Sequence, residues 1–86
     1  MADFDKIESL FAELRTATKS VLTDAEQSDI QDFVDAGEYG LALETAVDFY
    51  SQEGKTASPT VIDLIRQLAE AMSMDPAPLI KDLARD

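Results

Sequence analysis

The sequence predicts an all-α fold, a small antiparallel bundle of four main helices plus a short C-terminal helix. Three observations predict it. Apolar residues recur at spacings of three and four, and no segment alternates with period two. Four stretches open on a helix-capping residue, at Asp3, Thr23, Ser58 and Asp75. The connections between these stretches are short, which returns neighbouring helices antiparallel. The 86 residues make one small domain, residues 1–86, with no internal repeat, low-complexity run or linker. A domain of this size buries only about 60% of its unfolded surface, so a bound partner would add to its stability.

The first helix is expected from about Asp3 to Thr18, with Phe4, Ile7, Leu10, Phe11 and Leu14 as one apolar stripe. The second opens on "TDAE", in which Thr23 at N-cap and Glu26 at N3 form a capping box. Ile30, Phe33 and Val34 follow on its apolar side, and Asp29, Asp32 and Asp35 fall on the opposite face. Gly37 closes it as a left-handed C′ residue. A third helix begins almost at once, making an αα-hairpin. Glu38 stands at its start, where negative charge suits the macrodipole. Gly40, in its first turn, is expected to admit a second backbone at close range.

Tyr39, Leu43, Ala46, Val47 and Tyr50 form the main apolar face of this third helix, which runs to about Gln52 before Gly54. Leu41, Glu44 and Asp48 point the other way, and Tyr39 is expected to staple the hairpin. The fourth helix starts with Ser58 at N-cap and Pro59 at N1, ends near Ser73, and carries Val61, Leu64, Ile65, Leu68 and Met72 on one face. "MDPAP" starts the last helix, with Asp75 as cap and Leu79, Ile80 and Leu83 as its apolar residues.

Charge narrows the function. The net charge is −11, and no basic residue lies between Lys19 and Lys55. That interval holds Asp24, Glu26, Asp29, Asp32, Asp35, Glu38, Glu44, Asp48 and Glu53, so −9 of the total sits there. Nucleic acid and anionic membrane are therefore poor partners, and a basic protein is a good one. The N-terminus lacks the basic and apolar regions of a signal peptide, and no apolar run reaches the ~18 residues that span a bilayer. The expected setting is the cytoplasm.

Chemistry is sparsely supported. There is no Cys and no His, which removes the commonest nucleophile–base pair and the commonest metal ligands. "DFVDAGEYGLAL" has the Gly of a calcium loop at position 6, but Val, Ala and Leu stand at positions 3, 5 and 12, where oxygen ligands are needed. No Gly-rich phosphate loop occurs. The "ESL" at Glu8–Leu10 lies inside the first helix, not at a helix start as in the "DSL" of acyl carrier proteins. "GEYGLALE" is similar to tetratricopeptide helix starts at Gly37, Tyr39 and Ala42, but one hairpin is not a repeat array. The chain is read as a binding protein without enzymatic activity, metal or cofactor.

The stretch "DIQDFVDAGEYGLALETAVDFYSQEG", followed by the Ser-initiated "SPTVIDLIRQLAEAMSMD", resembles the Maf-type (MafI) immunity proteins of bacterial toxin systems. The resemblance covers roughly half the chain, from Ser28 to Met74, and "EYGLALE" is its most specific part. It implies a small cytoplasmic protein encoded directly after a toxin gene. Such a protein binds and blocks the toxic C-terminal domain used in contact-dependent growth inhibition. The toxins paired with this family include ribonucleases, some resembling the EndoU fold, and a ribonuclease carries basic groups that hold RNA phosphates.

The candidate contact residues are Asp29, Asp32, Asp35, Glu38, Glu44 and Asp48 as the charged surface, with Leu41 as an apolar anchor among them. An acidic helical adaptor or regulatory module that binds another basic protein is the alternative reading. Weak self-association through the wide apolar helix faces is also open.

Overall fold

Local capping chemistry sets the helix boundaries. The computed structural model describes residues 3–83 and contains five helices: α1 (Phe4–Ala17), α2 (Asp24–Asp35), α3 (Tyr39–Gln52), α4 (Pro59–Ala71) and α5 (Ala77–Leu83). No strand occurs among the described residues. Asp3 accepts from the Lys6 backbone N–H at 3.1 Å to start α1. At α2 the box is complete: the Glu26 N–H donates to Thr23 Oγ1 at 3.1 Å, and the Thr23 N–H donates to Glu26 Oε1 at 2.9 Å. The Ser58 hydroxyl accepts from the Val61 N–H at 3.2 Å, with Pro59 directly behind it at the start of α4.

Three helices end in the same way. Gly37 after α2 and Gly54 after α3 have φ of +74° and +64°, the left-handed region that Gly enters without penalty. The Glu38 N–H reaches back to the Phe33 carbonyl at 2.8 Å, and the Lys55 N–H reaches the Tyr50 carbonyl at 2.9 Å; both are Schellman closures. α4 closes identically, through Met74 N–H to the Ala69 carbonyl at 2.8 Å, but the left-handed residue is Ser73, with φ of +59°. A β-carbon in that conformation costs about 1–2 kcal/mol.

Packing does not follow chain order throughout. α2 and α3 pack on each other as the expected hairpin, but α1 pairs mainly with α4, and α5 lies against both α3 and α4. The shared core is mostly aliphatic, with Ile7, Leu43, Val47, Val61, Ile65 and Leu68 almost fully buried in one cluster with Tyr50. Contacts between α1 and α2 are fewer, and a buried polar link supplements them. Gln27 Nε2 donates to Thr18 Oγ1 at 2.8 Å and to the Arg15 carbonyl at 3.3 Å, satisfying groups at the open end of α1. The radius of gyration, 11.7 Å, matches the ~12 Å expected of a compact chain of this length.

One expectation needs correction. Gly40 admits no second backbone: a β-carbon built there would meet nothing within 4 Å. Tyr39 reaches beyond the hairpin. Its ring packs beside Phe11 and Phe4 of α1, with centroids 6.3 and 5.8 Å away, and its hydroxyl donates to Glu8 Oε2 at 2.6 Å. The tie therefore runs from the start of α3 to α1.

Candidate protein-docking surface

The nine acids of the cation-free interval divide by the work each does. Asp24 and Glu26 stand in the first turn of α2, at the positive end of its macrodipole. Glu53, after α3, pairs with Lys55, whose Nζ lies 2.7 Å from Glu53 Oε1 and 2.6 Å from the Val21 carbonyl it donates to. Glu26 belongs to this cluster as well. Hydrogen bonding, first with the neighbouring Glu53 carboxyl and then from the Thr23 N–H, outweighs desolvation and, with the charge of Lys55, holds its carboxyl below the ordinary range. Lys55, the cation that ends the interval, is thus committed to joining the α1–α2 and α3–α4 loops.

The remaining six are Asp29, Asp32, Asp35, Glu38, Glu44 and Asp48. All six are exposed, and none takes part in the two ion pairs of the described residues, Lys55–Glu53 and Arg66–Asp63. Asp29, Asp32 and Asp35 line the outer side of α2 at spacings of three, opposite buried Ile30 and Val34. Asp35 also accepts from Gln31 Nε2 at 2.8 Å, which fixes a carboxylate without neutralising it. Glu38 is the N-cap residue of α3, yet its side chain makes no capping hydrogen bond. Glu44 and Asp48 lie one turn apart on the outer side of α3.

Leu41 shares that outer side of α3, three residues before Glu44, and is 47% exposed. Solvated acids beside a solvated leucine are a poor arrangement for the free chain. Like charges at these spacings repel, and Asp32 and Asp35 face the negative end of the α2 macrodipole, where the last turn carries no basic residue. The same residues suit a basic surface that also offers an apolar contact.

One exposed apolar residue was not anticipated. Phe4 lies in the predicted core stripe of α1, but it is the first helical residue and is 59% exposed. Its position ahead of the first buried turn was the signal available. Its neighbour Tyr39 has a hydroxyl pushed above its ordinary value by the Glu8 hydrogen bond, then by desolvation and by the charges of Glu8 and Asp5.

A cleft of about 320 Å³ between the end of α1 and the start of α2 is lined by Arg15, Thr16, Lys19, Asp24, Gln27 and Ser28, with charges of both signs. Among the described residues no group of three or more acids is placed to hold a metal ion, and no helix is long and apolar enough to cross a membrane. Comparison with protein-family models, with curated proteins and with solved structures finds no match to this chain.

Proposed function

We propose that this chain neutralises the basic catalytic domain of a bacterial toxin, in the manner of the Maf-type immunity proteins its central stretch resembles. The observation that supports this reading is the set of six exposed acids on α2 and α3 that no ion pair among the described residues balances, with exposed Leu41 sharing the outer side of α3 with Glu44 and Asp48. Free, they repel one another; opposite a basic protein they attract it and speed the encounter. A ribonuclease domain, whose RNA-binding face must be basic, is the target class that fits. Occupying that face excludes the RNA, so inhibition needs no chemistry from this chain.

Growth tests the reading. The product of the gene directly upstream is expressed in a laboratory bacterium, alone and with this chain. Arrest by the first and rescue by the pair, with recovery of a one-to-one complex, is the expected result. Rescue that fails although both proteins are made would refute toxin neutralisation. A stable complex with a non-toxic basic protein would replace it with the adaptor reading.

A further inference from the structure

At the start of α3 an aromatic row runs outward from the core: buried Phe11, half-buried Tyr39, then exposed Phe4. Phe4 and Glu8 are one turn apart on α1 and so stand side by side. Glu8 is exposed, one of its oxygens accepts the Tyr39 hydroxyl, and the other takes no hydrogen bond among the described residues. The nearest cation in sequence, Lys6, lies about 200° round the helix from Phe4. The exposed ring of Phe4 therefore stands beside a carboxylate that no ion pair among the described residues balances.

We propose that Phe4, Tyr39 and Glu8 form a seat for an arginine side chain of the partner. This rests on the toxin-neutralising reading and names one contact within it. A guanidinium can stack on the Phe4 ring and, through its edge, donate to Glu8 at the same time; an ammonium cannot do both with one planar group. The seat adjoins the docking surface in sequence, because Tyr39 follows Glu38 directly and precedes Leu41 by two residues. Charge decides against a second copy of this chain as the occupant, since each copy carries −11. An uncharged apolar partner would leave Glu8 facing it unpaired.

The test uses the full chain and a capped tetra-arginine peptide, with tetra-citrulline as the uncharged control, followed by NMR. Tetra-arginine should shift the Phe4 and Tyr39 ring resonances, and tetra-citrulline should not. Phe4→Ala and Phe4→Leu should both fold, because the side chain is 59% exposed, and both should weaken peptide binding about threefold to tenfold. Silent ring resonances, or wild-type affinity in either variant, would overturn the seat; so would ring shifts that follow protein concentration alone, which would mark self-association. Because the titration needs no toxin, the two readings fail separately. Failed growth rescue with the seat intact removes the toxin, and growth rescue with silent rings removes the seat.

Discussion

Replacing Asp32 by Lys should stabilise the free protein while weakening it as a binder. Asp32 stands three residues from both Asp29 and Asp35, and the last turn of α2 contains no basic residue. Each like-charged pair at that spacing costs about 0.2–0.5 kcal/mol, and an opposite pair returns about the same. Reversing Asp32 converts both pairs, and it also places a cation near the negative end of the macrodipole, a gain of a few tenths of a kcal/mol. Discounted for full solvent exposure, the sum is about 1 kcal/mol at low salt. For a chain of this size that raises Tm by about 4–8 °C. Thermal melts followed by circular dichroism at about 20 mM and about 500 mM salt separate the causes, because screening removes the charge contribution and leaves helix propensity. An unchanged or lower Tm at low salt would refute the claim that these acids are uncompensated in the free chain.

Other consequences follow from single residues. Gly40→Ala should raise stability by about 0.5–1 kcal/mol in urea unfolding, since the added β-carbon meets nothing within 4 Å and a helix position loses its glycine; a loss would reinstate the close approach first expected there. Ser73→Gly should stabilise by a similar amount, about 0.5–1 kcal/mol, because the strain relieved at φ of +59° exceeds the chain entropy that a glycine loses on folding. Glu8→Gln should bring the raised Tyr39 titration back toward its ordinary value, read by ultraviolet absorbance, while Tyr50, raised by burial, stays where it is. Since both tyrosines titrate higher folded than unfolded, their contribution is complete below the unfolded value near 10 and is lost as pH rises through the folded values.

Much of the fold was legible because its signals are local. Asp3, Thr23 and Ser58 cap the helices they were expected to cap, and Gly37 and Gly54 close theirs, since each acts on backbone groups within a few residues. The pairing of α1 with α4 was not legible, because several apolar stripes of similar width could meet and only their joint packing selects one arrangement. The same holds for Tyr39, whose apolar ring suits either hairpin or long-range packing until α1 supplies Phe4, Phe11 and Glu8. Ser73 escaped notice because the closure of α4 uses a residue with no left-handed signature. For the candidate surface, helical periodicity correctly placed Asp29, Asp32, Asp35, Leu41, Glu44 and Asp48 outside. It misplaced Phe4, since periodicity places a residue on a face but does not show how far along the helix that face is covered.

The rate of complex formation tests the central claim most directly. The chain and a variant with Asp32, Asp35, Glu44 and Asp48 all changed to Lys are mixed in stopped flow with the upstream gene product. At low salt the wild type should associate at least about tenfold faster than the variant, and the gap should close as salt rises, with helicity the same in both. Equal rates at low salt would contradict the account, because the acidic face of α2 and α3 would then have no part in drawing the partner in.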